Sequence, residues 1–216
     1  MAIANPDIDY YHINRIVPWS QYKKLNIGDE FDVGEESNPY FRYFETQKKF
    51  YTLTNNTNGS TINLSGVKLV GDISKGQINL PDMSAASVAG IAHHLLNHFV
   101  CYLREIIWED VRKTEFPHLP SRQRCIWLIP NIEGVKYWLG RLELQSPDYQ
   151  VLRLNLQGRV HQASELYLLA DSEPMEETII KVRKYWRGLI EQPGTEEIIF
   201  EGRVKVKEII SPEIYK

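Results

Sequence analysis

Cysteine is scarce in this 216-residue chain, with Cys101 and Cys125 the only two. They fall in segments that read as a helix and a strand and have no close metal-ligand spacing, so they read as reduced core thiols. No apolar run approaches the ~20 residues of a membrane span. The opening stretch MAIANPDIDYYHINRIVPWS carries charged and polar residues where a signal peptide needs an apolar core. The expectation is a cytoplasmic protein with no membrane partner. Charge of one sign is also missing. The formal net charge is -3, which supplies no overall basic field and argues against nonspecific DNA binding. There is no internal repeat and no low-complexity segment. What is present is a hydrophobic share of 43%, ample for a core, in a chain long enough for one domain with an insertion.

The stretch 194–210, GTEEIIFEGRVKVKEII, organises the reading. From Arg203 to Lys207 polar and apolar residues alternate, with Val204 and Val206 facing one way and the basic residues the other, the period of a half-buried strand. The preceding Ile198, Ile199 and Phe200 are apolar on both sides and read as a central, doubly covered strand. Glu201-Gly202 between the two reads as a tight turn. Glu196 and Glu197 therefore open an interior strand. A carboxylate is costly to bury alone, so one of them either points to water at the sheet edge or sits in a polar cleft where its charge is used.

Taken in order, residues 8–16 read as a first strand, with Tyr11, Ile13 and Arg15 on one face and Tyr10, His12 and Asn14 on the other. Residues 18–39 read as loops. The aromatic and basic run from Tyr40 to Leu53, with Arg42, Lys48 and Lys49, suits either single-stranded nucleic acid or an aromatic core edge. TLTNNTNGSTINLSG reads as a loop or hairpin tip, and residues 35–83 as an insertion. Ser84 to Lys113 carries the strongest helical period, through Val88, Ile91, Leu95, Phe99, Leu103 and Ile106, and reads as one long core helix. His94 and His98 stand four apart on it, a metal-pair spacing, but no third ligand follows and no metal site is expected. After Pro117 and Pro120, SRQRCIWLI reads as a strand, and Asn131 caps a helix through Ile132, Val135 and Leu139. Two strands are expected over 149–156 and 159–169, the second holding Glu165, the rival to Glu197. Asp171 and Ser172 read as caps of a helix with Met175, Ile179, Val182 and Trp186 in one stripe, ending at Gly188. The order of elements is that of an α+β domain.

Three of these stretches, in this order, resemble the ADP-ribosyltransferase fold in its diphtheria-toxin-like branch, in a divergent bacterial form. Tyr11-His12-Ile13 resembles the opening motif, which implies that His12 holds the adenosine ribose and the Ile13 backbone grips the nicotinamide amide. Residues 121–139 resemble the middle motif, with Ser121, Arg122, Arg124 and Trp127 as site residues. The two arginines would clamp the diphosphate of NAD, and Trp127 would stack on nicotinamide. Glu197, before an apolar triplet and a Val-rich strand, takes the place of the family's glutamate. Thr195 stands where many members have a second Glu or Gln, so arginine-directed transfer is not implied. The resemblance implies a split mixed or antiparallel sheet with one long core helix. It further implies metal-free cleavage of NAD, a substrate here rather than a resident cofactor, through an oxocarbenium-like state. The ADP-ribosyl group would pass to RNA, DNA or protein, as in toxins of toxin-antitoxin or antiphage systems, with a cognate antitoxin as a further partner. An NAD glycohydrolase, or a binding protein that keeps the fold without catalysis, are the alternatives.

Overall fold

A computed structural model describes residues 9–18, 20, 23–47, 50–54, 59–79, 83–144, 147–168, 173–192 and 196–214. The expectations attached to Lys48, Lys49, Asp171, Ser172, Gly194 and Thr195 lie outside the described residues. In chain order the elements are β1 (Tyr10–Arg15), β2 (Glu30–Val33), α1 (Pro39–Thr46), β3 (Phe50–Thr54), β4 (Thr61–Ser65), α2 (Gly66–Ser74), α3 (Ala85–Glu115), β5 (Ile126–Leu128), α4 (Ile132–Arg141), β6 (Tyr149–Ser164), α5 (Met175–Trp186) and β7 (Glu196–Ile209). This is an α+β fold with one long helix, α3. The chain divides into two compact units, Met1–Tyr43 with Arg104–Lys216, and Phe44–Leu103. The second unit overlaps the insertion expected at 35–83 but extends further, because the first part of α3 belongs to it.

In the first unit every strand pairing is antiparallel, in the order β1-β6-β7-β2, with β5 also on β7. A bridge between Tyr11 and Ile129 brings β1 back to the end of β5. β7 is the centre of this sheet. Its Ile198, Ile199 and Phe200 are 3%, 0% and 0% exposed, the double cover that their continuous apolar run predicted. Burial of each such side chain contributes about 1.5–3 kcal/mol. Val204 and Val206 are buried while Arg203, Lys205 and Lys207 are exposed, as the alternation required.

Glu201-Gly202 is not a turn. β7 runs straight through it, and β6 likewise runs through the gap expected between two strands. Gly202, at φ +140°, pairs with Gly158, and a Cβ built on Gly158 would stand 2.2 Å from the Glu201 carbonyl oxygen. The glycines permit a close backbone approach where two long strands deform together. Local residue type suggested a turn, but cross-strand partners on both sides held the dipeptide in the ladder. The glycine pair also divides the sheet: β5 pairs the 198–200 half of β7, and β2 pairs 202–205.

Helices cover the sheet. α3 and α5 enclose a cluster with Trp108, Val111, Cys125, Val182, Tyr185, Trp186 and Ile199. α4, capped by the Asn131 side chain accepting from Gly134 N at 2.8 Å, contributes Val135 and Leu139 to a second cluster with Ile129 and Val151. The periodic stripe located α3 correctly but not its buried face. The residues buried along α3 are Glu105, Trp108, Glu109 and Val111, whereas Phe99, Leu103 and Ile106 are 47%, 54% and 41% exposed. Among the described residues no helix is long and apolar enough to cross a membrane.

The second unit contains the β3–β4 hairpin, with Phe50 opposite Ser65 and Thr54 opposite Thr61. Ser65 then caps α2 through Lys68 N. Among the described residues Leu64 and Leu69 are its buried apolar side chains, and Phe44 lies against the rings of His98 and Tyr102. Of the aromatic run 40–51, Tyr40, Phe41 and Tyr43 belong to the first unit and Phe44, Phe50 and Tyr51 to the second.

A buried carboxylate and guanidinium cluster

Four glutamates converge inside the first unit. Glu105 and Glu109, one turn apart on α3, face the sheet. Glu197 and Glu201 share a face of β7 with Ile199 between them, by the two-residue period of a strand. The dipeptide Ser121-Arg122, between α3 and β5, clasps all four. Arg122 Nε and Nη2 donate to the two oxygens of Glu105, both at 3.1 Å, while Nη1 donates to Glu197 Oε1 and to the Tyr185 hydroxyl. Ser121 Oγ donates to Glu109 at 2.8 Å, and Ser121 N donates to Glu201 Oε1 at 2.9 Å. Arg104, Arg112 and Arg159 complete the ion pairs on Glu105, Glu109 and Glu201. Four carboxylates thus meet four guanidiniums. That balance is what allows Glu105 and Arg122 to be 0% and 3% exposed.

The Arg122 loop is fixed by Asn38, itself buried. Its Nδ2 donates to the carbonyls of Arg122, at 2.7 Å, and Cys125, at 3.2 Å, while its Oδ1 caps α1 through Phe41 N. Burial alone would raise the Glu105 carboxyl, but Arg122 and Arg104 outweigh it and hold the group below the usual carboxylate range. Burial likewise opposes the charge on Arg122, yet Glu105 and Glu197 keep its guanidinium firmly protonated. The Tyr185 hydroxyl is pushed well up by burial and then by Glu197, so it stays a neutral donor. Glu201 differs, because burial exceeds the pull of its partners and its carboxyl is raised.

Glu197 links this cluster to the sheet edge. Trp127 lies opposite Ile199 across the β5–β7 ladder, so Glu197 is its diagonal neighbour on the same face. The indole Nε1 donates to Glu197 Oε2 at 3.0 Å. The Trp127 carbonyl accepts from His12 Nδ1 at 2.9 Å. Burial lowers the His12 pKa despite that bond, so the ring is neutral, with its proton on Nδ1 and an acceptor lone pair on Nε2. The Tyr40 ring meets Trp127 edge-on at 6.1 Å, and its hydroxyl accepts from Arg104 at 2.8 Å. Glu197 Oε1 takes two donors, Arg122 and the Tyr185 hydroxyl at 2.6 Å, whereas Oε2 takes only the indole among the described residues. Since each carboxylate oxygen has two lone pairs, Oε2 retains one acceptor position, and the side chain is 11% exposed.

His12, Trp127, Arg122, Ser121 and Glu197 are thus brought together, but not all in the expected roles. Arg122 is not placed as a phosphate clamp, because four of its five N–H groups serve Glu105, Glu197 and Tyr185. Arg124 is exposed on the turn before β5 and makes no part of the cluster. The Ile13 side chain packs toward Ile129 and Val151, and strand alternation turns its main-chain groups to the same edge as those of Tyr11, which bond Ile129. Glu165 is elsewhere, on a short 3-10 turn, paired with Arg141 at 2.8 Å. His94 is exposed and His98 lies against Phe44, and no group of three metal-ligating side chains occurs among the described residues. Sequence reasoning missed Glu105, Tyr185 and Tyr40. The only signal for Glu105 was its helical spacing with Trp108 and Glu109, charge at positions one turn apart beside a large apolar residue.

The chain belongs to the family of proteins of unknown function DUF2441, whose model matches residues 10–212. No curated protein matches it.

Proposed function

We propose that this protein is an NAD-dependent mono-ADP-ribosyltransferase that acts in the cytoplasm on a macromolecular acceptor, in the manner of a bacterial toxin or defence effector. One observation carries the reading. His12, Trp127 and Glu197, separated by 115 and 70 positions in the chain, are joined through a single residue, Trp127, by its carbonyl and its indole. They are the residues on which the resemblance to the ADP-ribosyltransferase fold rests. In this reading the Nε2 lone pair of His12 accepts from a ribose hydroxyl, and the open position on Glu197 Oε2 accepts from another. The Glu197 charge stabilises the cation that develops at the anomeric carbon as the nicotinamide bond breaks. Electrostatic stabilisation requires a carboxylate that does not move, and Arg122, Tyr185 and Trp127 restrain this one from three sides.

A second reading is favoured by the same contacts. Three protein donors on Glu197 also suit a binding protein in which that carboxylate serves only the fold. The deciding experiment incubates the purified protein with labelled NAD, with and without cell lysate. Released nicotinamide is measured, and the label is sorted by nuclease and protease sensitivity. Label on a macromolecule, lost in Glu197→Gln of equal melting temperature, supports transfer, and nicotinamide release without lysate supports the glycohydrolase. No release under any condition from a folded protein leaves the binding reading.

A further inference from the structure

We propose that Tyr185 is a positioning residue whose hydroxyl fixes the Glu197 carboxylate and so selects Oε2 as the oxygen that meets substrate; the catalytic part of this rests on the proposed function. Tyr185 is 0% exposed and reaches the site from α5, outside the three stretches that carry the resemblance. Its ring is held before its hydroxyl does anything. It packs edge-on against Trp186 at 4.8 Å and His161 at 5.3 Å, and the Arg122 guanidinium stands 5.4 Å from its centroid. The hydroxyl then accepts from Arg122 Nη1 at 3.0 Å and donates to Glu197 Oε1 at 2.6 Å.

That arrangement makes the two oxygens of Glu197 unequal. Oε1 receives Arg122 and Tyr185 and has no lone pair left for a ligand, whereas Oε2 receives only the Trp127 indole. The carboxylate is held at Oε2 by the indole alone, so the two donors on Oε1, one from Arg122 and one from α5, fix the angle at which Oε2 meets that indole. The charged groups around the carboxylate, Arg122 with Glu105 and Arg104 behind it, would remain in place if the hydroxyl alone were removed. Tyr185→Phe therefore isolates position from charge.

The test reads the Trp127 indole N–H, which reports on Oε2 whether or not the protein turns over NAD. Its signal is assigned with Trp127→Phe, and its exchange with solvent is followed by NMR in wild type and in Tyr185→Phe. The internal control is the Trp186 indole, which donates to the Trp108 carbonyl at 2.8 Å. We expect Trp127 exchange to rise on the order of tenfold, as for one lost hydrogen bond, with Trp186 unchanged. Placing 4-aminophenylalanine at position 185, which restores a donor, is expected to restore protection, and it also serves if Tyr185→Phe folds poorly. In NAD cleavage kcat is expected to fall about tenfold with KM within twofold. Unchanged Trp127 exchange, or equal loosening of Trp127 and Trp186, overturns the positioning role. If the exchange result holds but wild type consumes no NAD, positioning stands and the transferase reading falls.

Discussion

The two halves of the buried cluster are built alike and differ in what they leave open. In one, Arg122 joins Glu105 of α3 to Glu197 of β7; in the other, Ser121 joins Glu109 of α3 to Glu201 of β7. Both pairs of glutamates are one helical turn and two strand pleats apart, so one dipeptide spans both. Only the first half touches the edge where β1 and β5 meet, through Trp127 and His12. The second half meets Arg112 and Arg159 instead, with no contact to Trp127 or His12 among the described residues. A buried network of this kind is structural by default, and the half that reaches that edge is the one the proposed function uses.

The comparison is broken most severely at Arg122. Arg122→Met would leave Glu105 with Arg104 alone and remove an ion partner from Glu197, and an uncompensated buried charge costs about 3–5 kcal/mol. Urea denaturation is expected to show a loss of that size, and a loss below about 1 kcal/mol would mean that water reaches the cluster.

Acid should also separate the halves. His161 lies under Tyr185, its Nε2 at 2.9 Å from the Tyr185 carbonyl, and burial lowers its pKa to about 4 from the ordinary imidazole value of 6.5. The folded state disfavours its protonation, so the stability it contributes is present above pH 6.5 and is lost as pH falls from there to about 4. The loss expected is on the order of 3 kcal/mol. Denaturation midpoints from pH 7 to pH 4 check this, and His161→Gln should flatten that part of the profile.

A smaller effect, read in rate, distinguishes the two β7 acids. If Glu197 stabilises a developing cation, Glu197→Gln should slow NAD cleavage on the order of 100-fold or more with little change in NAD affinity. Glu201→Gln should stay within about threefold once folding is matched. The opposite ranking in single-turnover assays would reverse the assignment of the open half. The smallest effect expected is at Glu165, whose surface pair with Arg141 is of the kind that contributes little. Glu165→Gln should leave turnover within about twofold.

Much of the first unit was legible along the chain. The alternation of Arg203 to Lys207, the apolar triplet before it, the Asn131 cap and the long α3 all follow from residue order, because strand and helix periods are local properties. The continuity of β6 and β7 was not legible. A Glu-Gly dipeptide carries the same local preference in a turn and in a strand, and its fate depended on Gly158 lying opposite. The buried face of α3 was hidden for a similar reason. Phe99, Leu103 and Ile106 have the apolar period, but the segment before β5 presented Arg122 and Ser121, and these took Glu105 and Glu109 as partners.

By itself, then, the sequence located α3, α4 and α5 and the first strand, though it read 18–39 as loops where β2 forms, and it placed Glu197 at the start of an interior strand, His12 on the first one and Trp127 on a strand. Only the tertiary structure decided that Arg122 serves Glu105 and Glu197, that Glu165 is tied to Arg141 instead, and that Tyr185 stands behind the carboxylate. Charge pairing acts over a few ångströms of space and is indifferent to separation along the chain, so no local pattern records that Arg122 and Glu197, 75 positions apart, are partners.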